Sequence, residues 1–371
     1  MKKYELNMSC RQDLWEYLAA SSKTIVMYGM GNGADKILAA CDEKGVTVSD
    51  FFASDGFVRG HVFHGKTVLS WSGIKEKYGA ENVIVLLSFG TSLPEVLENI
   101  ERIASEAELY APDVPAFGDG LFDRAFFEAH REELVSAYEL LSDEESRRIF
   151  ENVLQFKLTG NISLLRDAES DRVAMMQKMV QADRLRAAAD LGAYNGDTVR
   201  ELLEYADGSL ETVYAMEPDT RNFRKLQAYA ETENRARVVA VNAGAWSSSE
   251  VLYFDASGNR NASFGSNRSE TLADRPVKLR EVTAEPLDLV LNGAPVDYIK
   301  YDVEGAEREA LLGSVETIRR YSPTLLVSLY HRNEDLFALP LLIHERFPQY
   351  KQFYLRRMAG VPAWDLNLFC K

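Results

Sequence analysis

Residues 187–198 read AAADLGAYNGDT and decide how the second half of the chain folds. Ala187–Leu191 is a short apolar run that predicts a buried strand, and a helix is predicted to begin near Thr198. Between them, Gly192 and Gly196 allow the backbone to turn sharply and to approach a ligand closely. The first turn of the helix presents free N–H groups to that ligand. Because ligands of open α/β sheets bind outside the carboxyl ends of the strands, this turn predicts a binding site.

Polar residues follow three successive predicted strands. Asp190 ends the first strand, Glu217 follows the second, and Asn242 and Ala243 follow the third. A carboxylate in the position of Glu217 can accept hydrogen bonds from both hydroxyls of a ribose, as the acidic residue of dinucleotide-binding folds does. Asn242 and Ala243 would then lie where an adenine edge binds. The alternative is that Glu217 merely caps the helix that is predicted to begin near Thr220.

A fourth predicted strand carries charges at alternate positions. Residues 297–307 read DYIKYDVEGAE, and the alternation places Lys300, Asp302 and Glu304 on one face. Charges of this kind are costly to bury unless they are paired or functional. Asp302 and Glu304 lie at the carboxyl end of the strand, where the reacting group of a ligand would be, and His331 follows the neighbouring predicted strand.

These segments resemble the FkbM-type methyltransferases, which belong to the class I, Rossmann-like, S-adenosylmethionine-dependent group. The resemblance covers roughly residues 185–371, and its most specific part is the Lys-x-Asp-x-Glu-Gly string. The matching pieces are Asp190–Thr198, Glu217-Pro218, Asn242–Ala245, Thr283 with Leu287-Asp288, and Lys300–Glu307 with Leu311 and Gly313. Two positions depart from the family pattern: Tyr194 replaces an Asn, although Asn195 follows, and Ser328 replaces the Glu of a Glu-Leu-His-like motif.

The resemblance implies S-adenosylmethionine as the cofactor and O-methylation of a hydroxyl on a sugar, glycan or secondary metabolite as the reaction. The residues expected to bind the cofactor are Asp190, Gly192, Tyr194, Asn195, Gly196, Glu217, Asn242, Ala243 and Asp302. Asp302, Glu304 and His331 are the candidate catalytic residues, since a hydroxyl acceptor benefits from a general base. A divalent cation held by the two carboxylates is an alternative that we do not favour, and no metal ligand is predicted.

The first part of the chain carries a second glycine motif. After the apolar stretch 23–28, Gly29, Gly31 and Ala34 fit the dinucleotide-binding pattern, and Asp55 lies where a ribose could be bound. This motif supports an alternative function, an NAD(P)-dependent oxidoreductase. However, no tyrosine has a lysine four residues later, so the pair used by short-chain reductases is missing. We expect a binding or structural module here. A non-catalytic nucleotide-binding scaffold is the third hypothesis.

The alternation of strands and helices predicts two Rossmann-like α/β domains joined by a helical connector, with boundaries at 1–120, 121–180 and 181–371. A single helix is predicted over Ala306–Arg320. In the connector, Ser142 and Glu145 predict a capping box at the start of a helix. We expect the acceptor pocket to be built from the connector and from a polar loop at residues 255–276.

The composition narrows the range of partners. A net charge of −15 argues against nucleic acid as a partner, because polyanion binders usually present a basic surface. No apolar run is long enough for a membrane span, and the residues after Met1 do not have the apolar pattern expected of a signal peptide. Three widely spaced cysteines favour a reducing cytoplasm over a disulfide framework. A small-molecule or glycan acceptor is expected, and a homodimer is the default assembly.

Overall fold

The computed structural model describes residues 12–58, 60–255, 264–265 and 279–371. Helices and strands alternate through both halves of the chain, so the predicted mixed α/β fold is confirmed. Of the predicted acceptor loop at 255–276, only residue 255 and residues 264–265 are among those described.

The N-terminal unit, residues 12–120, contains a five-stranded parallel sheet in the order β5-β2-β1-β6-β7. Its strands, with the small hairpin β3–β4, are β1 Thr24–Tyr28, β2 Val48–Ala53, β3 Val62–Phe63, β4 Lys66–Thr67, β5 Leu69–Ser70, β6 Val83–Leu87 and β7 Glu108–Tyr110. Its helices are α1 Leu14–Ala20, α2 Asn32–Glu43, α3 Trp71–Tyr78 and α4 Pro94–Glu106.

The middle of the chain is helical, as predicted. Its helices are α5 Arg124–Ala129, α6 Arg131–Leu140, α7 Glu144–Thr159, α8 Ser163–Arg166 and α9 Arg172–Met175. Asp143, and not Ser142, caps α7, accepting a hydrogen bond from the N–H of Ser146 at 2.8 Å. The predicted cap at Ser142 is therefore wrong: its Oγ accepts the N–H of Phe353 at 2.8 Å and so ties the connector to the C-terminal sheet.

The C-terminal unit is built on a seven-stranded sheet in the order β10-β9-β8-β15-β16-β18-β17, in which β18 runs antiparallel to both neighbours. The strands of this half are β8 Ala187–Leu191, β9 Thr212–Met216, β10 Arg237–Val241, β11 Gly244–Ala245, β12 Glu250–Asp255, β13 Phe264–Gly265, β14 Leu279–Glu285, β15 Tyr298–Tyr301, β16 Thr324–Ser328, β17 Phe353–Arg357 and β18 Leu366–Cys370. Its helices are α10 Asp197–Tyr205, α11 Thr220–Thr232, α12 Leu287–Leu291, α13 Glu307–Leu312, α14 Val315–Tyr321 and α15 Asp335–Arg346.

The stretch predicted as one helix over Ala306–Arg320 is two helices, α13 and α14, separated at Gly313. Gly313 lies against the backbone of a neighbouring segment, where a Cβ atom would be 1.9 Å from the carbonyl oxygen of Trp246. Its own carbonyl accepts the N–H of Asp288 at 3.0 Å. The helix breaks because tertiary contacts at Gly313 replace helical ones.

A single buried apolar cluster joins the two sheets, with members that include Val26, Val85, Phe150, Ile299 and Leu325. The N-terminal unit, the connector and the C-terminal unit thus share part of one core. The boundaries at residues 120 and 180 stay predictions. Within the described ranges, no helix is long and apolar enough to cross a membrane.

Candidate functional site

A cavity of about 570 Å³ opens at the carboxyl ends of β8, β9, β15 and β16. This volume lies within the range of small-molecule sites. The predicted site residues that line it are Gly192, Tyr194, Glu217, Asp302, Glu304 and His331. Parallel strands bring these residues together from positions up to 139 apart in the sequence, since residues 192 and 331 follow strands of the same sheet.

Other predicted site residues lie behind this lining. Asp190 is buried, accepts a hydrogen bond from the hydroxyl of Thr198, and has Oδ1 3.3 Å from Nζ of Lys300. Asn242 donates from Nδ2 to the carbonyl oxygen of Glu217 at 2.9 Å. These two side chains therefore hold the strand ends in place. Asn195, Gly196 and Ala243 are likewise not among the residues that line the cavity, whereas Gly244 and Ala245 are.

The glycine at position 192 is required by its surroundings. Its φ is +88°, and a Cβ atom there would lie 1.9 Å from the carbonyl oxygen of Asp302. The N–H of Asp302 in turn donates to the carbonyl of Leu191 at 3.1 Å. The first turn of the C-terminal unit and the acidic loop after β15 are thus packed backbone to backbone, which fixes Asp302 at the cavity wall.

Glu217 is 6% exposed and is held by backbone donors. Its Oε1 accepts the N–H of Asp219 at 2.8 Å, and its Oε2 accepts the N–H of Tyr194 at 2.9 Å. Burial raises the pKa of Glu217 to about 7, and the two backbone donors only partly oppose this shift. Further lone pairs remain on a carboxylate that lines the cavity, so it can accept hydroxyl donors from a ligand.

Asp302 is held ionised. Its Oδ2 lies 3.3 Å from Nζ of Lys300, and its Oδ1 accepts a hydrogen bond from the hydroxyl of Tyr330 at 3.0 Å. Burial opposes ionisation, but the positive charges of Lys300 and His331 outweigh it and hold the pKa of Asp302 at about 2. A carboxylate of this kind is a weak base and a stable negative charge.

His331 is 1% exposed and lies among carboxylates. Its Nδ1 is 2.9 Å from Oε1 of Glu307, and its Nε2 is 3.4 Å from Oε2 of Glu304 and 3.6 Å from Oδ1 of Asp302. Burial alone would lower the pKa of His331, but Glu307, Asp302 and Glu304 raise it to about 10. The imidazole is therefore a cation near neutral pH, which makes it an ion-pair partner and not the proton acceptor.

Glu304 has the properties of a base that works near neutral pH. Its backbone lies in the left-handed region, with φ at +54°, in a loop that turns it toward the cavity. Burial raises the pKa of Glu304 to about 7; the charge of His331 opposes this shift and that of Asp302 adds to it. Backbone strain of this kind often occurs at functional sites. Of the three predicted catalytic residues, Glu304 is the best placed to exchange a proton at pH 7.

The residues whose donor atoms converge most closely are Asp302, Glu307 and His331, each with one atom within 4.8 Å of the others. This is not the Asp302–Glu304 pair considered from the sequence as a cation site. A protonated His331 already supplies a positive charge among these carboxylates, so ion pairing accounts for the arrangement.

The opposite wall comes from segments that the sequence analysis did not select. Gly90, Thr91 and Ser92 follow β6 of the N-terminal unit, and residues 359–362 with Trp364 and Asp365 lie between β17 and β18. The two segments form a two-residue bridge: the N–H of Thr91 donates to the carbonyl of Val361 at 2.8 Å, and the reverse bond is 3.0 Å. The sequence feature that could have indicated this part of the site is the group of polar residues directly after the strand that ends at Leu87.

Two predicted ligand contacts of the N-terminal unit, Gly29 and Asp55, are engaged by other residues of that unit. A Cβ atom at Gly29 would lie 2.6 Å from both Ser88 Oγ and Phe89 Cδ1. Asp55, the predicted ribose contact, accepts hydrogen bonds from the N–H and the hydroxyl of Ser72 at 3.2 and 2.8 Å. Gly29 thus serves close packing between strand ends, whereas a Cβ atom at Gly31 would meet nothing within 4 Å, and Asp55 contacts the start of α3.

The seven-stranded sheet, with its antiparallel β18 and its cavity at the carboxyl ends of the parallel strands, is that of a class I methyltransferase. Residues 190–354 match the family model of the methyltransferase FkbM domain. Residues 190–354 are therefore similar to the FkbM methyltransferase family, and the predicted resemblance is confirmed.

Solved structures extend the likeness in fold. A methyltransferase FkbM from Methylobacillus flagellatus KT is 20% identical, with a TM-score of 0.70 over 96% of this chain and 92% of that one. Since 96% of this chain is covered, the likeness includes the N-terminal unit. An rRNA methylase from Streptococcus thermophilus is 12% identical, with a TM-score of 0.36 over 54% of this chain and 96% of that one. The search of curated proteins gives no significant match.

Proposed function

We propose that this protein transfers the methyl group of S-adenosylmethionine to a hydroxyl of a sugar, glycan or secondary metabolite. The observation that carries the proposal is that Glu217 and the acidic group Asp302–Glu304 line the same cavity at the carboxyl ends of the sheet. One end of the cavity suits a nucleoside, and the other end suits proton transfer from an acceptor.

The Glu217 end fits the adenosine part of the cofactor. The carboxylate is buried, and its described hydrogen bonds come from backbone N–H groups, which leaves it free to accept two ribose hydroxyls. Gly192 keeps the adjacent turn without a side chain, and Gly244 and Ala245 keep the wall after β10 small. These features support a nucleoside ligand in the C-terminal unit and not at Gly29.

The Glu304 end fits the acceptor hydroxyl. S-adenosylmethionine, when bound, supplies a methyl group on a positively charged sulfur. Glu304 would accept the proton that the acceptor hydroxyl loses on methylation, while Asp302 would stay ionised beside it. His331 stays protonated and balances the negative charge of the group. Positioning the two reactants in line supplies much of the remaining acceleration.

Calorimetry tests the cofactor assignment directly. Wild type should bind S-adenosylmethionine saturably, with Glu217→Ala weakening the affinity at least tenfold, about 1.4 kcal/mol. Glu98→Ala, an exposed glutamate on α4, is the matched control and should bind as wild type does. Binding of NAD instead, by protein that does not bind S-adenosylmethionine, would overturn the proposal in favour of the oxidoreductase alternative. Methyl transfer to a panel of hydroxyl acceptors then separates an enzyme from a non-catalytic scaffold.

A further inference from the structure

Trp364 is an exposed aromatic side chain that lines the cavity. It is 42% exposed although it lines the cavity wall. Gly90 lies directly against its six-membered ring, since a Cβ atom on Gly90 would be 2.1 Å from Cζ3 of Trp364. The ring is thus backed on one side by the N-terminal unit, and it remains accessible to a ligand in the cavity.

Asp365 follows Trp364 and lines the same cavity. Its φ of +56° places it in the left-handed region, which an aspartate adopts at some cost in strain. Asp302 also lines this cavity, so the two carboxylates face a common space. A strained, solvent-exposed carboxylate beside an exposed indole is an arrangement suited to a ligand with both C–H and O–H groups.

The supporting wall is rigid and polar. The two-residue bridge between Thr91 and Val361 fixes the loop that carries Trp364 against the N-terminal unit. Arg357 is fully buried and donates from Nη1 to the carbonyl of Leu165 at 2.9 Å and from Nη2 to the carbonyl of Gly360, which holds the other end of this loop. Thr91 and Ser92 add hydroxyl groups to the lining.

We propose that Trp364 and Asp365 form the acceptor subsite, backed by Gly90–Ser92, and that this subsite selects a neutral ring bearing hydroxyl groups. The indole covers the C–H face of the ligand's ring. The Asp365 carboxylate accepts a hydrogen bond from one hydroxyl of that ring. The carboxylates of Asp302, Glu304 and Asp365 outnumber the cations Lys300 and His331 that also line the cavity, so the subsite disfavours an acceptor that carries a carboxylate or phosphate on the same ring. The subsite rests on the proposed function and assigns acceptor selection partly to the N-terminal unit.

Saturation-transfer NMR on the full chain with S-adenosylhomocysteine tests the subsite. The probes are methyl glucopyranoside, galactopyranoside and mannopyranoside, each compared with the uronic acid of the same sugar. Wild type should bind at least one neutral glycoside, with saturation strongest on ring C–H protons, and should bind its uronic acid at least tenfold more weakly. Trp364→Ala should weaken glycoside binding roughly three- to tenfold, whereas Trp364→Phe should retain most of it.

Further variants separate a subsite from a general loss of structure. Gly90→Ala should displace the indole and weaken the glycoside without changing the affinity for S-adenosylhomocysteine, and Leu289→Ala, an exposed residue on α12, should have no effect. Cofactor binding without binding of any neutral glycoside, equal binding of the uronic acids, or full binding by Trp364→Ala would each overturn the subsite. If the wild-type protein does not bind S-adenosylhomocysteine, the proposed function is overturned instead.

Discussion

Nδ1 of His331 lies 2.9 Å from Oε1 of Glu307, and each of these side chains is 1% exposed. The N–H of Val303 donates to the same oxygen of Glu307 at 2.9 Å, so this carboxylate orients the imidazole and fixes the acidic loop at once. Removing one partner of a buried ion pair leaves the other charge less compensated, and Asp302 and Glu304 offset only part of the His331 charge, so Glu307→Gln should destabilise the fold by at most about 3 to 5 kcal/mol at pH 7. Urea unfolding measures this loss, with the exposed Glu316→Gln as control.

The same pair predicts how stability changes with pH. The pKa of His331 is raised from 6.5 to about 10. The contribution of this group to the free energy of unfolding is therefore fully present below pH 6.5 and is lost as pH rises through 10. Wild type should therefore lose stability between pH 8 and 10, a window in which Glu304 has already ionised, and Glu307→Gln should lose less. An imidazole NMR titration showing a His331 pKa near 6.5 in wild type would contradict this.

Glu304 predicts the pH dependence of catalysis. Because the pKa of Glu304 is about 7 and only its ionised form accepts a proton, kcat/KM should rise with pH and level off above about 7. Glu304→Gln should lower kcat about 10²- to 10⁴-fold. The measurement is the rate of methyl transfer to the best acceptor from pH 5.5 to 9. A flat profile, or a Glu304→Gln enzyme with wild-type kcat, would assign the base elsewhere.

The sequence predicted the strands of the C-terminal sheet well because each is a short apolar run that ends at a polar residue or a glycine. Ala187–Leu191 forms a strand with the bounds predicted, and strands also precede Glu217 and Asn242 as expected. It also predicted that Glu217, Asp302 and His331 lie near one another, since parallel strands place their carboxyl ends on one edge. These are consequences of local pattern and of sheet topology.

Tertiary contacts decided what the sequence did not predict. The break at Gly313 depends on the carbonyl of Trp246, and the cap at Asp143 depends on Ser142 being used by Phe353. The sequence could not assign Gly90–Ser92 to the site, because the local pattern of one unit does not show how the two units pack against each other. The charge state of His331 likewise depends on carboxylates that only the fold brings together.

Glu217 predicts a pH effect in the protein without cofactor. Its pKa is raised to about 7, so the folded state binds its proton more tightly than the unfolded chain does, and stability falls as pH rises from 4.5 to 7. The shift corresponds to at most about 3 kcal/mol. Glu217→Gln should remove this loss, so its stability relative to wild type should increase from pH 4.5 to pH 8 in urea titrations. The control Glu98→Gln should differ from wild type in free energy of unfolding by the same amount at both pH values.

The backbone contact between Gly192 and Asp302 predicts a difference between two alanine substitutions. Gly192 and Gly208 have similar φ values, +88° and +80°, but a Cβ atom meets a carbonyl oxygen at 1.9 Å at the first and nothing within 4 Å at the second. Gly208→Ala should cost only the strain of a left-handed backbone, about 1 to 2 kcal/mol. Gly192→Ala must also push the first turn away from Asp302, and overpacking of this kind adds about 1 to 3 kcal/mol. Urea unfolding compares the two variants, and calorimetry with S-adenosylmethionine should show weakened binding for Gly192→Ala alone. Equal losses of stability with equal cofactor affinity would mean that the turn and the acidic loop are not coupled through this contact.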